Sequence, residues 1–384
     1  MRRFAFLLGT VLIPASLPAA APRPELVQAL KTIQSVDREG KGHAEAKAAA
    51  KVAGQAPPGE LVTILEAIDA ANPLAANWLA GAFETASQSA AKDFPKGEIE
   101  TFLLDRTHSH RARVLAFEAL SRADGTARDR LIPGMIDDPS AELRREAVAR
   151  LMKAAGTAPA EEAKTLRRQA FAAAVDGDQV QELAKILTKE GETLDLVKHF
   201  GFVTRWSLIG PFDNRGTKGF DVAYPPEKER NLQAEYEGMK GAVQWAPHAA
   251  PFDPAVLDPE KVGLFDIAKL TEPHKGAATY ATTEFTSEKE QPVEFRLATS
   301  NAWKLWLNGE LVFAREEYHR GMFFDQYIVR GTLRPGKNEL LLKVCQNEQT
   351  EDWAQDWSFQ FRVCDLSGKA VLSAEPKTTA QRSQ

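Results

Sequence analysis

The chain changes character once, near residue 200, and that change limits what it can fold into. Residues 22–200 contain 36 Ala and 7 aromatics, whereas residues 201–384 contain 18 Ala and 23 aromatics, with six of the seven Trp in the second part. Ala-rich, aromatic-poor sequence favours helices, while aromatic and β-branched side chains suit pleated sheets. A single architecture does not fit both, and 384 residues are enough for two bodies with cores of their own. Charge does not divide them: residues 22–200 carry 24 basic and 27 acidic side chains and residues 201–384 carry 22 and 26. A formal net charge of −5 supplies no bulk attraction to polyphosphate, so no nucleic-acid partner is expected.

In the first part, apolar positions recur at three and four, as in Leu26, Leu30, Ile33 and again in Leu61, Ile64, Leu65, Ile68, the pattern of amphipathic helices. Pro57-Pro58, Asn72-Pro73, Asp124-Gly125, Asp138-Pro139 and Gly156 keep those helices short and paired. Setting Ser109–Leu120 over Ser140–Leu151 matches Arg113 with Arg144, Ala116 with Ala147 and Leu120 with Leu151, a spacing of 31 residues. Each helix pair leaves an apolar face that only a neighbour can cover, so such repeats stack. In the second part the period falls to two. Val293, Phe295 and Leu297 alternate with Glu294, Arg296 and Ala298, and Phe359, Phe361 and Val363 with Ser358, Gln360 and Arg362, which predicts half-buried strands. Asn308-Gly309 is a two-residue hairpin signal. Many short antiparallel strands with close turns predict a sandwich or jelly roll. Trp303 and Trp306 fall on opposite faces of one strand, so only one of them is expected in the core.

Met1-Arg2-Arg3, the apolar run Phe4–Leu17 and the small residues to Ala21 read as a secretory signal peptide cut near Ala20. No Cys follows it to carry a lipid, and no later segment approaches the ~18 apolar residues of a membrane helix. The expected location is periplasmic or extracellular, where Cys345 and Cys364 are candidates for a disulfide. If Leu340–Cys345 and Trp357–Cys364 were two arms of one hairpin, the thiols would lie too far apart along the ladder to bridge. The pair survives only if those strands are not neighbours.

The run Asp138-Pro139-Ser140-Ala141-Glu142-Leu143-Arg144-Arg145-Glu146-Ala147-Val148-Ala149-Arg150-Leu151 resembles a HEAT repeat. That resemblance implies a short α-solenoid offering a surface to a protein partner; an irregular helical bundle supporting the second domain is the alternative. The runs Ala302–Val312 (AWKLWLNGELV) and Leu333–Val344 (LRPGKNELLLKV), with Trp206–Asn214 (WSLIGPFDN) upstream, resemble galactose-binding-like jelly rolls of bacterial carbohydrate-binding modules. The chain as a whole resembles secreted proteins that join HEAT-like helices to such a module. Together these readings predict a multidomain α + β chain: signal peptide over 1–20, a helical repeat domain over 22–198 and a β-sandwich over 199–373, which the resemblance makes HEAT-like and galactose-binding-like, and a disordered tail over 374–384. The resemblance also implies sugar binding and, in many such modules, a structural calcium, for which no residue here is assigned; no other cofactor is expected.

Two polar connections carry the candidate site. Arg315–Gly321 and Gln346–Trp353 are long for strand connections, and long polar loops with aromatics on a rigid scaffold are where binding usually sits. Sugars need a flat apolar ring for their C–H face and amides or carboxylates for paired hydroxyls. Tyr318, His319, Arg320, Asn347, Gln349, Glu351 and Trp353 supply both kinds. The competing reading folds Tyr318 and Trp353 inward as plugs and spends the charges on ion pairs. His108-Ser109-His110 and Asp176-Gly177-Asp178 lack the further ligands of a metal site. Hydrolase and redox motifs are missing, and Gly331–Lys337 resembles a phosphate loop but leads into a strand and carries Asn338 where a hydroxyl is needed. Glu316, Glu317, Asp325, Glu348, Glu351 and Asp352 could in principle supply the paired carboxylates of a glycosidase. The expectation is an exported, non-enzymatic protein that recognises polysaccharide or glycoprotein. The alternatives are a structural or assembly protein of the cell envelope, or an accessory module of polysaccharide degradation with hydrolase activity. Secreted material should begin at or beside Ala21 on N-terminal sequencing; retention of Met1 there would overturn the leader.

Overall fold

The computed structural model describes residues 21–374. The expected leader and residues 375–384 of the expected tail lie outside the described residues. Ala374, the first residue of that tail, donates its N–H to the Thr286 carbonyl at 2.9 Å. Helices come first and antiparallel sheets follow, and the chain divides into two compact units, residues 1–131 and 132–384. The expected division at 198/199 is therefore not where the compact units divide, because Val148, Ala170, Leu183 and Phe200 of the later helices share one apolar cluster with Phe202 and Val262 of the strand-bearing part.

In the first unit consecutive helices pack in pairs: Pro24–Gln34 with His43–Ala53, Leu61–Asp69 with Pro73–Ser89, and Lys96–Leu104 with His110–Ala123. Their starts are chemically marked. Asn72 accepts from the backbone N–H groups of Leu74 and Ala75 with Pro73 next to it, and Ser109 accepts from that of Ala112. The predicted faces are the buried ones, Leu26, Leu30 and Ile33 in one helix and Leu61, Ile64, Leu65 and Ile68 in another. Arg113 is buried and its Nε donates to the Leu103 carbonyl at 2.8 Å. Its counterpart Arg144, in helix Ala141–Ala155, is equally buried behind its own Ser140 cap, but in the second unit it reaches the Ser367 carbonyl beside the sheets.

The second unit continues with helices Ala160–Ala173, Gly177–Lys189 and Leu196–Phe200 and then the strands β1 (Arg205–Asp213), β2 (Glu235–Gly238), β3 (Gly241–Gln244), β4 (Ala246–Ala249), β5 (Phe265–Asp266), β6 (Ala277–Ser287), β7 (Gln291–Ala298), β8 (Ala302–Leu307), β9 (Glu310–Arg315), β10 (Tyr327–Leu333), β11 (Gly336–Gln346) and β12 (Ser358–Cys364). Among the described residues they form a six-stranded sheet ordered β4-β1-β6-β11-β8-β9, a four-stranded sheet ordered β10-β7-β12-β5 and the pair β2-β3. The two larger sheets share a core: Phe285, Trp303, Leu305, Leu340, Leu342 and Val344 from one, and Val293, Phe295, Leu297, Phe359 and Phe361 from the other. Asn308 and Gly309, at φ 53° and 85°, make the expected two-residue hairpin between β8 and β9. The Gly331–Lys337 run ends β10, crosses from the four-stranded to the six-stranded sheet and begins β11.

Three expectations are corrected here. First, β11 and β12 lie in different sheets and form no hairpin. Alternation puts Cys345 on the outward face of one sheet with Leu341 and Lys343, and Cys364 on the outward face of the other with Gln360 and Arg362, so the thiols point apart; both are free and buried. Second, Trp303 and Trp306 are both buried, because the outward face of the six-stranded sheet has a second apolar layer containing Phe212, Phe220, Tyr280 and Trp306. Third, the strands expected to be half-buried are closed on both faces: Glu294, Gln360 and Arg362 are all buried.

Burying those polar residues demands partners. On the four-stranded sheet Arg362 donates through Nε to Asp325 at 2.6 Å and through Nη1 to the Phe200 carbonyl at 3.0 Å, with its guanidinium 4.8 Å from the Phe324 ring. Arg296 holds the same carboxylate at 2.7 Å and also Glu294 at 2.7 Å. Gly201, which ends helix Leu196–Phe200 at φ 78°, has no room for a side chain, since a Cβ would stand 2.8 Å from the Val363 carbonyl. On the six-stranded sheet Lys343 is fully buried under the segment 214–228, donating to the carbonyls of Phe220 at 3.0 Å and Val222 at 2.7 Å and to Glu227 at 2.9 Å.

Burial pushes the Asp325 carboxyl up, but the Arg362 and Arg296 guanidinia outweigh it and hold it below the usual carboxylate range. The folded value is the depressed one, so this contribution is complete above the unfolded value, about 3.9, and is lost as the pH falls through the folded value. Urea unfolding of Arg362→Leu should show a loss of about 3–5 kcal/mol at neutral pH, because it leaves Asp325 charged and under-paired. The difference between the parent protein and Asp325→Asn should shrink as the pH falls below about 4; a difference independent of pH would remove the ion pair from this role.

Candidate functional site

The two polar connections meet at one end of the paired sheets, and a buried amide arranges one of them. Gln346, the last residue of β11, donates from Nε2 to the carbonyls of Ala354 and Asp356, both at 3.1 Å, and its Oε1 accepts from Asn347 N–H at 3.1 Å and Asn301 Nδ2 at 3.3 Å. One side chain thus ties both ends of the 347–356 loop to the β7–β8 turn. Asn301 adds a second tie through Nδ2 to the Asp356 carbonyl at 3.1 Å. Buried donors and acceptors left unpaired are costly, so this set of bonds fixes the loop course.

The other connection is fixed by its backbone and by Asn214. His319 sits in the left-handed region at φ 59°, and its N–H donates to the Ser300 carbonyl at 2.6 Å. Tyr318 turns inward: it packs against the second apolar layer, its hydroxyl accepts from Asn214 Nδ2 at 3.2 Å, and burial pushes its phenol well above the usual range. Asn214 also donates to the Gln346 carbonyl at 3.0 Å, so a single buried amide touches both connections. Glu348 takes the Gly216 N–H and secures the same corner.

Three candidate side chains then interlock. The Gln349 N–H donates to Asn347 Oδ1 at 3.1 Å, and Asn347 Nδ2 donates to Gln349 Oε1 at 2.9 Å. A backbone N–H can only donate, which sets which end of the Asn347 amide faces it. His319 Nε2, 2.7 Å from that same Oδ1, must therefore carry the proton. The imidazole in turn meets the Trp353 ring edge-on, centroids 5.2 Å apart at 88°. Trp353 is 61% exposed. A flat indole is held outward, and the Gln349 Nε2 amide has no hydrogen-bond acceptor among the described residues.

The seven candidates separate by role. His319, Asn347, Gln349 and Trp353 converge. Asn347 has both ends of its amide hydrogen-bonded within the protein. Tyr318 is a half-buried plug, as the competing reading had it, while Trp353 is not. Arg320 is exposed and lies 3.6 Å from Glu317, which Arg315 also holds. Glu351 is exposed at the start of the short turn Asp352–Ala354. Sequence reasoning missed Asn214, Asn301 and Gln346; Asn214 and Gln346 stand in quoted runs, but nothing local marks an amide as buried. Among the described residues no group of three or more His, Cys, Asp or Glu side chains could hold a metal ion, and no helix is long and apolar enough to cross a membrane. His108 instead stacks on Phe102 and bonds Asp69.

No protein-family model matches the chain, and no curated protein matches it either. Solved structures overlap it in part. The β-glucosidase from Kluyveromyces marxianus in complex with glucose is 16% identical over 25% of this chain and 10% of its own length, with a TM-score of 0.19. The PA14 domain of the MpAFP antifreeze protein is 10% identical over 27% of this chain and 55% of its own, at 0.19. The Faecalibacterium prausnitzii β-glucuronidase is 17% identical over 38% of this chain and 21% of its own, at 0.23. The chain thus spans well under two thirds of each, and overlaps this slight carry no argument about fold or function.

Replacing Gln346 with Leu leaves the Asn347 N–H without its acceptor and takes one of two donors from each of the Ala354 and Asp356 carbonyls. It should cost about 2–3 kcal/mol in urea unfolding and raise amide exchange selectively across 347–356. Unchanged exchange in that loop would mean that Gln346 does not hold it.

Proposed function

We propose that this chain is an exported binding protein that recognises sugars of a polysaccharide or glycoprotein without cleaving them. In this reading the two large sheets are a galactose-binding-like β-sandwich. The helices are a HEAT-like repeat surface left available to a protein partner. The observation that carries the proposal is Trp353: a large aromatic exposed on a loop that the buried Gln346 and Asn301 tie down. A ring kept in water while His319, itself held by Asn347, restricts its movement loses little entropy when a flat partner stacks on it. A pyranose supplies an apolar C–H face for the indole and hydroxyls for Gln349 Nε2 and the rim charges of Arg320 and Glu351. A mainly apolar contact with a few placed polar groups is the ordinary composition of a small-ligand site.

Screening the full-length chain on a glycan array, followed by calorimetric titration of the best binder, tests the reading. Trp353→Ala should weaken binding by about tenfold, equivalent to about 1.4 kcal/mol, with the unfolding midpoint unchanged because the ring is mostly exposed. His319→Ala should weaken it less, by freeing the indole. No glycan above background, or binding that survives Trp353→Ala, would overturn the proposal, and release of reducing ends from the bound glycan would overturn its non-enzymatic part.

A further inference from the structure

Helices His43–Ala53 and Pro73–Ser89 of the first unit pack side by side and leave a groove of about 680 Å³. Two glycines line it for different reasons. Gly54 permits close approach of the helices, since a Cβ there would stand 3.1 Å from the Ala50 carbonyl and 3.3 Å from the Thr85 Cβ. Gly81 has no such reason. It lies in the middle of the second helix, where Gly is the poorest former after Pro, and a Cβ there would meet nothing within 4 Å. Internal packing does not account for it; what the missing side chain does is keep the groove floor open. Beside it the half-buried Trp78 forms an apolar wall, braced edge-on by His43 at 6.0 Å.

The rim has one sign. Lys47 and Lys51 are exposed, stand one turn apart on the same helix, and have no ion pair among the described residues. Like charges at that spacing oppose the helix that carries them. No carboxylate lines the groove, and the Asn77 oxygen is taken by Arg111, which leaves its amide N–H groups without an acceptor among the described residues.

We infer that this groove docks an acidic helical segment of a partner protein, with two carboxylates one turn apart facing Lys47 and Lys51 and an aliphatic side chain seated beside Trp78 on Gly81. This deepens the partner contact in the proposal above and rests on the helical part alone. An amphipathic helix laid in a groove is a recurrent recognition mode. The exposed charge pairs make the contact weaken with salt.

The test pans the full-length protein against a phage-displayed library of short random peptides and measures the selected peptides by fluorescence anisotropy. The expected consensus carries two Asp or Glu at helical spacing around an aliphatic residue. Gly81→Leu should weaken the selected peptide at least about tenfold while leaving the unfolding midpoint at or above that of the parent, because Leu is a good helix former and the space is open. The pair Lys47→Gln, Lys51→Gln should weaken it similarly and remove most of the salt dependence. A neutral or basic consensus, no enrichment, or an acidic peptide indifferent to Gly81→Leu would overturn the inference. So would a concentration-dependent dimer in sedimentation that Gly81→Leu dissolves, which assigns the groove to a second copy. Glycan binding should be the same in Gly81→Leu as in the parent, so failure of the glycan reading and failure of this one are read separately.

Discussion

Two buried cations govern how the strand-bearing unit is put together. A guanidinium or ammonium removed from water is strongly destabilising unless carboxylates and carbonyls meet it in good geometry. Arg362 therefore cannot be enclosed on the outward face of the four-stranded sheet before Asp325 and the Phe200 carbonyl reach it. Lys343 on the other outward face has the same requirement for Glu227 and the carbonyls of Phe220 and Val222. Each cover supplies ligands that suit only its own sheet. The helices ending at Phe200 close one face and the segment 214–228 closes the other, and exchanging them would strand both charges.

The same bonds place the candidate site. Asp325 lies in the connection that carries Tyr318 and His319, so the ion pair with Arg362 pins one end of it while Asn214 pins the middle through Tyr318. The opposite connection is pinned through Gln346. Rigid anchors beneath and an exposed indole above divide labour within a few residues: the amides arrange and the ring presents.

Much of this was legible in the sequence, and the illegible part has a common physical cause. Period and composition revealed the helical start, the strands and the Asn308-Gly309 hairpin, because these depend on side-chain spacing along one element. The repeat match between Ser109–Leu120 and Ser140–Leu151 located two capped helices with a buried Arg in each. Alternation also promised a wet face on β7 and β12, and there it failed: Arg362 and Gln360 look like surface residues until a cover arrives from distant sequence. For the same reason the compact units divide at 131/132 and not at the change of period, since helices that serve as a cover belong to what they cover. The candidate loops were legible from polarity and length, but the split of Tyr318 inward and Trp353 outward was not, because it depends on Asn214, more than a hundred residues away.

The placement of the two cysteines gives the unit an internal pair of clocks. Burial pushes the thiol of Cys345 up to about 12 and that of Cys364 up to about 11, so neither reacts in the closed state. Cys345 lies behind the 214–228 segment and Cys364 on the outward face of the other sheet, its backbone bridged to Ala370, so alkylation of each sulfur follows the opening of a different cover. Mass spectrometry of timed alkylation could then tell whether the two shields lift together or one by one, without any label being engineered into the chain.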